Sequence, residues 1–529
     1  MSNRRIARSA GLAGIATLTS RILGLVRDQV LAAFFGAGSQ MDAFVVAFRI
    51  PNLVRDLFAE GALSASFVPT FTSHLARQGR PDAWRLGNNT LNALLAATGL
   101  LVLGGMVLAR PIVTLLAGDY AAVPGKLELT IFLTRLVLPF LTLAALAAVL
   151  MGMLNSLGHY FVPALAPATF NVALIVGTIV LVPLMPDLGL PPIAAVAGAA
   201  LVGGLSQVLF QLPHLRQEGF EYRPTLDVRD PGLHRILLLM GPGTLGLAAT
   251  QFNLFVNTIL ATGEGTGAVS WLAYAFRIMY LPIGLFGVSI ATAVLPVAAH
   301  HAALDDRPAI RRAVSRGLRL MMLLNVPATL GLIVLAEPIV RMLFERGQFV
   351  PADTVATAAA LQLYAIGLVG YSTARIASPV FYALGRSRLA VTISASSMAV
   401  NVVASVLLVR WIGFRGLALG TAVAALAHGG LALFVLRRHL EGIDGTRLVS
   451  RFIRILTAGL AMAAAAALTE RWLATAAPGG TLAHQAGRIT AAIFVGLSTL
   501  ALAAKLLRVP EFDEAVAALR SRIFRSTDR

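Results

Sequence analysis

From Thr17 to Gly38 the chain reads TLTSRILGLVRDQVLAAFFGAG, an apolar run long enough to cross a bilayer that nevertheless carries Arg21, Arg27 and Asp28. Comparable runs recur to the end of the chain. A helix needs about 20 predominantly apolar residues to span the hydrocarbon core. By that measure the pattern predicts about fourteen spans, at 9–36, 41–73, 84–109, 128–157, 160–185, 191–213, 235–262, 267–300, 317–340, 354–384, 389–410, 414–436, 452–475 and 486–507. Only helices and closed barrels can cross lipid, and these runs are too continuously apolar for the alternating strands of a barrel. The expected fold class is therefore an all-α polytopic membrane protein. The longer runs hold Gly24, Pro51, Pro139, Pro242, Pro282 or Pro379 and are expected to kink, tilt or continue beyond the lipid.

Polar connections alternate in character. Arg4, Arg5 and Arg8, then Arg77, Arg80 and Arg85, then Arg216, Arg223, Arg229 and Arg235 fall on one side. Arg307, Arg311, Arg312 and Arg316, then Arg386 and Arg388, then Arg437, Arg438, Arg447 and Arg451 continue that set, whereas 185–192 and 263–267 have no basic residue. The positive-inside rule places both termini in the cytoplasm, which requires an even number of spans. The first run, which holds two arginines and leads straight into a second, reads as an uncleaved span rather than a signal peptide.

Composition agrees: 57% of the 529 residues are hydrophobic and 13% charged, with a mean hydropathy of +0.78. A soluble chain would carry roughly twice that charged fraction. The absence of cysteine rules out disulfides, Cys-ligated zinc and iron–sulfur clusters. Gly125-Lys126 lacks the rest of a phosphate-binding loop, the nine histidines form no HExxH, and no nucleophile–base set is legible. The expectation is a protein that is not an enzyme and has no nucleic-acid partner.

An internal repeat gives the domain organisation. AFRI occurs at Ala47–Ile50 and again at Ala275–Ile278, each copy followed by a Gly-containing apolar stretch that ends in proline, at Pro69 and Pro296. Two parallel six-helix halves are expected: residues 1–225 and 226–440, then a helix pair at 441–508 and a basic cytoplasmic tail at 509–529. Transporter halves of this kind enclose a site near the bilayer midplane.

Charges inside the spans carry the chemistry. Each costs roughly 2.5–3.5 kcal/mol at a span centre. Arg21, Arg27, Arg49, Arg55 and Arg277 need acids or a wet cavity. Asp42, Arg49 and Asp56 are spaced seven apart on one helix face with Asn52 and Glu60, and Arg21 and Asp28 share another. Two readings stand. Arg49–Asp42, Arg49–Asp56 and Arg21–Asp28 pair and fix packing; or the surplus guanidinium groups of Arg21, Arg27, Arg55 and Arg277 line a cavity for an anion, gripping phosphate with paired hydrogen bonds. Arg135 and Arg375, also within spans, are weaker candidates of the same kind.

TSRILGLVRD, FGAGSQMDAFVVAFRIPNLVRDLFAEGALSASFVP and, at Leu343–Phe349, LFERGQF resemble the MurJ (MviN) family of lipid II flippases in the MOP exporter superfamily. The resemblance covers nearly the whole chain. It implies fourteen helices, as two six-helix lobes in a V plus a C-terminal pair forming a groove for a lipid tail. It implies a multi-pass protein of the bacterial inner membrane that moves lipid II, the undecaprenyl-pyrophosphate-linked disaccharide pentapeptide, to the periplasmic leaflet by alternating access, working beside cell-wall synthesis proteins. The family's cavity arginines match Arg21, Arg27, Arg55 and Arg277, and its supporting polar residues match Asp28, Asp42, Asn52, Glu60 and Ser64; Arg49 joins them by its place on the stripe. A sodium site of some members falls on Asn257, Asn401, Ser405 and Thr421, where neutral side chains at 257 and 405 replace expected carboxylates and imply weak binding. Membrane potential is the other driver. A flippase for another polyprenyl-pyrophosphate-linked glycan shares the same chemistry, and a non-transporting scaffold in cell-wall assembly is the alternative from a different class.

Overall fold

The computed structural model describes residues 3–56, 63–443, 445–476 and 479–517, and among them finds helices and no strand. Each of the fourteen expected spans corresponds to a helix or a broken helix. Span one is α1 (Asn3–Phe35), and span two holds α2 (Ser39–Arg55) and α3 (Ser64–Arg77) on either side of residues 57–62, which lie outside the described residues. Then come α4 (Arg80–Val107) with the short α5 (Ala109–Ala117), α6 (Lys126–Val137) with α7 (Phe140–Ser156), α8 (Phe161–Leu181), α9 (Ala194–Gln217) and α10 (Pro231–Thr262). The chain continues with α11 (Ala268–Pro282) and α12 (Val288–Ala303), α13 (Arg307–Val334) with the short α14 (Ala336–Phe344), and α15 (Pro351–Ile366) with α16 (Leu368–Ala383). It ends with α17 (Ser387–Ile412), α18 (Arg415–His439), α19 (Gly445–Ala476) and α20 (Leu482–Leu506). Among the described residues, nine helical segments are long and apolar enough to cross a membrane, and the pair at 351–366 and 368–383, bent by 42°, makes a tenth.

The breaks have local causes. Pro139 separates α6 from α7, since a proline removes a helical donor and clashes with the preceding turn. A π-helical turn at Ile283–Gly287 follows Pro282; such turns are frequent at functional sites. Helix starts are signalled as the sequence rules require. Asp230 accepts from the backbone N–H of Gly232 and Leu233 at 2.7 and 3.1 Å ahead of Pro231, and Asp306 from Ala309 at 3.0 Å.

The chain separates into two compact units, Met1–Ser270 with Arg346–Phe349, and Trp271–Glu345 with Val350–Arg529. This division differs from the expected boundary at 225/226, because α10 stays with the first unit. Its Ile236 and Met240 join a core built on Leu63, Phe67, Phe71, Trp84 and Met153. The segment leading into α10 is held by three asparagines of α4. Asn88 bonds the backbone of Glu221 and Arg223, Asn89 bonds both backbone groups of Asp227, and Asn92 bonds the carbonyls of Arg223 and Thr225, at 2.8–3.0 Å throughout. Side-chain amides here replace a neighbouring strand, satisfying backbone groups that would otherwise need water.

Residues 346–349 of the LFERGQF stretch also lie in the first unit, against the end of α1. Gln348 donates its N–H to the Ala33 carbonyl at 2.9 Å. A Cβ on Gly347 would stand 2.2 Å from the Ala33 oxygen, and one on Gly36 would stand 2.3 Å from the Gln348 oxygen. Both glycines have positive φ, +59° and +57°, so neither position accepts a side chain.

In the second unit, Gly416 and Gly420 of α18 let α17 approach to backbone contact, as small residues four apart do in membrane helices. As far as it is described, to residue 517, the tail is docked: Val509, Phe512 and Ala515 pack on the core of α13 and α19, and the buried Glu511 pairs with Arg319 at 3.2 Å and Arg451 at 3.8 Å.

Candidate functional site

The arginines of the first two spans do not pair as helical spacing suggested. Arg27 bonds the adjacent Asp28 through Nε at 3.0 Å and Nη2 at 2.8 Å, both on Oδ1. Its Nη1 donates to Asn171 Oδ1 of α8 at 2.9 Å. Asn171 in turn donates to the Ser20 carbonyl at 3.0 Å, so one amide fixes both the guanidinium and the backbone of α1. The pair is withdrawn from solvent, with side chains 16% and 5% exposed. Arg21, expected to share Asp28, is exposed instead.

The same motif recurs at the end of α2. Arg55 bonds Asp56 Oδ1 through Nε and Nη2 at 3.2 and 2.9 Å, and Gln251 of α10 reaches Asp56 Oδ2 at 3.3 Å. The reach of an arginine stem lets it fold back on a neighbouring carboxylate that lies off its own helix face, which spacing arguments overlook. Arg49 and Asn52 are half-buried on the same helix, and the Asn52 Oδ1 atom is buried with no hydrogen bond among the described residues. Glu60 and the side chain of Ser64 lie outside the described residues.

Asp42 is the main correction. It was expected to pair with Arg49, yet its fully buried carboxylate accepts from Lys126 Nζ at 2.8 Å, Gly267 N at 2.7 Å, Ser270 N at 3.0 Å and Ser270 Oγ at 2.7 Å. Lys126 is buried as well, with its ammonium 4.0 Å from the centroid of the Tyr120 ring. Burial, and secondarily the Asp42 carboxylate, push the Tyr120 phenol upward, so it stays neutral. Four donors on one carboxylate make Asp42 the tie between α2, the start of α6 and the turn before α11. That is a structural role, and one cation, two backbone donors and a hydroxyl carry it.

The charge balance is therefore closer than the anion reading assumed. Among the described residues of this region, Arg21, Arg27, Arg49, Arg55 and Lys126 stand against Asp28, Asp42 and Asp56. A phosphate entering here would exchange with a carboxylate at Arg27 and Arg55 rather than meet bare guanidinium.

In the second unit Arg277 is exposed on α11, one turn before Tyr280. Arg375 of α16 donates to the Tyr280 hydroxyl and lies 5.5 Å from its ring centroid. Tyr280 also stacks on Phe276, which meets Tyr364 edge-on. Arg135, in the first unit, donates to the Met106 carbonyl at 3.2 Å, near the break between α4 and α5.

Two of the four candidate sodium ligands bond each other between helices. Asn401 Nδ2 donates to Thr421 Oγ1 at 3.3 Å, and Thr421 donates to the Leu417 carbonyl at 2.7 Å. Asn401 Oδ1 and Ser405 Oγ are buried acceptors with no partner among the described residues. Asn257 lies in the first unit, on α10. Oxygen ligands suit a hard cation, but this set brings no carboxylate and does not fit a tightly held ion.

Comparison with known proteins places the chain. The sequence profile described as "Lipid II flippase MurJ" matches residues 31–484. The chain belongs to the MurJ family. A probable lipid II flippase MurJ of Bdellovibrio bacteriovorus is 35% identical over 87% of this chain and 87% of its own length. One of Vibrio cholerae is 34% identical over 88% and 89%, and the lipid II flippase MurJ of Burkholderia cenocepacia is 34% identical over 84% and 87%. A MurJ structure in an inward closed conformation shares the fold, with a TM-score of 0.75 at 24% identity over 94% of this chain and 99% of that one. An inward-facing multidrug resistance MATE transporter of the MOP superfamily follows at 0.67 and 18%, over 82% and 99%. A MurJ family member with these apolar helices is a multi-pass membrane protein. Asn171, Gln251 and Lys126 are not among the site residues that the sequence marks out. Lys126 left one signal, as one of only two lysines in the chain and inside an apolar region.

Proposed function

We propose that this protein moves lipid II from the cytoplasmic to the periplasmic leaflet of the bacterial inner membrane, with both termini in the cytoplasm and no chemical step on the substrate. One observation carries the reading. The family match covers residues 31–484, and arginine stands at 21, 27, 55 and 277, the positions that the resemblance assigns to substrate, the first two just ahead of the matched range.

The chemistry is exchange of partners. A pyrophosphate is too polar to cross lipid unaided, and it presents oxygens in the geometry a guanidinium fork prefers. Arg21 and Arg277 are exposed to arriving substrate. Arg27 and Arg55 each hold one oxygen of an adjacent aspartate. Substrate oxygens replace those carboxylates on arrival and yield to them on departure, which keeps binding reversible. Asn171 keeps the Arg27 fork oriented throughout.

The driver we propose is membrane potential. An anion leaving a negative interior gains roughly 2.3 kcal/mol per charge per 100 mV, whereas the neutral set at Asn401, Ser405 and Thr421 has no carboxylate to hold sodium. Complementation in cells depleted of their native flippase tests the reading: Arg277→Ala is expected to fail while inserting normally, and full rescue would overturn it.

A further inference from the structure

We infer that the second unit binds an anionic phospholipid in the groove between the end of α18 and the start of α19. The groove measures about 640 Å³ and is lined by Arg437, Gly445, Val449, Ser450, Ile453 and Arg454. Two guanidinium groups and a hydroxyl thus face the same space as two branched apolar side chains, and no carboxylate lines it among the described residues.

Several arginines at the same end of the unit are neutralised by acids. Arg307 pairs with Glu441, Arg316 with Glu514, and Arg319 and Arg451 with Glu511. The Arg437 guanidinium has no hydrogen bond or ion pair among the described residues. Arg454 gives Nη1 to the carbonyls of Leu507 and Arg508, at 3.3 and 3.2 Å, and no acid neutralises it. A groove with two uncompensated cations calls for an anion. Phosphate suits it, because guanidinium and hydroxyl together match its oxygens.

The apolar wall decides between a lipid and a soluble phosphate. Val449 and Ile453 stand one turn apart on α19 and are 59% and 56% exposed. The same face continues to Leu460, 53% exposed. In a membrane helix such a stripe faces acyl chains, so the groove opens onto lipid along its length. A headgroup would sit between Arg437 and Arg454 while one chain follows Val449, Ile453 and Leu460. Basic pockets between helices at the cytoplasmic surface take anionic headgroups in this way, and the arginine-rich end of α18 and α19 is the cytoplasmic one under the topology proposed above. With no acid among the described lining residues, a zwitterionic headgroup would leave its ammonium facing guanidinium, so phosphatidylglycerol is favoured over phosphatidylethanolamine.

The test uses the full chain in nanodiscs of equimolar phosphatidylglycerol and phosphatidylethanolamine, with retained lipid identified by native mass spectrometry. Wild type is expected to retain the anionic lipid, and Arg437→Gln to lose about fivefold in retention. Val449→Asp, which sets a carboxylate in the groove, is expected to lose at least as much. Arg438→Gln, whose guanidinium stacks on Phe434 outside the lining, is expected to behave as wild type. Equal retention by Arg437→Gln and wild type would overturn the site. Displacement of the lipid by millimolar glycerol 3-phosphate would overturn the lipid assignment in favour of a phosphate site.

Discussion

Replacing Lys126 with methionine should be among the most damaging single changes in the first unit, and the reason can be worked through. The Lys126–Asp42 pair is 2.8 Å long with side chains 1% and 0% exposed. At an effective dielectric of about 20 that separation gives roughly 6 kcal/mol of attraction. Desolvating the two ions costs several kcal/mol each, so the intact pair is close to neutral overall. Removing only the lysine is different. Asp42 keeps its bonds to Gly267 and Ser270 but loses the ammonium that compensates its burial. The expected loss is about 3–5 kcal/mol. Converting Asp42 to asparagine as well should recover much of it, because the neutral amide can still accept from Ser270. A double-mutant cycle by equilibrium unfolding in mixed micelles would measure the coupling. If Lys126→Met costs under about 1 kcal/mol, or the double variant is worse than the single, the buried-pair account fails.

Three further outcomes are expected. Gly347→Ala should cost about 2–5 kcal/mol in the same unfolding assay, from left-handed strain plus collision with the Ala33 carbonyl, whereas Gly385→Ala, at φ +69° in open space, should show the strain alone; equal costs would refute the close approach. Arg27→Ala should both destabilise and stop flipping, while Arg27→Ala with Asp28→Asn should regain stability without activity; a double variant that flips would show Arg27 to be purely structural. Glu218's carboxyl is held below its usual 4.5, first by the His159 hydrogen bond and then by Arg80, so its stabilising contact is present above that pH and is lost as pH falls through the lowered value. Fluorescence of Trp84, whose ring meets Phe220 5.4 Å away, should report that acid transition in wild type and not in Glu218→Gln.

Much of the fold was legible because bilayer thickness imposes a length on every apolar run. Each expected span corresponds to a helix, and the prolines at 139 and 282 fall at breaks. The pairing of charges was not legible. Spacing along one helix suggested Arg49 for Asp42 and Arg21 for Asp28, but those arguments see only one face of one element. Asp42 found its cation 84 residues away, and Arg27 and Arg55 folded back onto adjacent aspartates. Position 225 likewise reads as a boundary in the repeat, yet α10 beyond it packs with the first unit, because the apolar faces of Ile236 and Met240 fit the core around Phe71 and Trp84. Periodicity reports which residues are buried; it does not report against what.

The central claim is that guanidinium groups carry a pyrophosphate across the membrane under an electrical gradient. A leaflet-resolved lipid II assay in proteoliposomes, with an imposed potential and no sodium gradient, tests it most directly. Outward movement should rise with an interior-negative potential in wild type and vanish in Arg277→Ala. Movement that ignores the potential and requires sodium, or that survives loss of Arg277, would contradict the account.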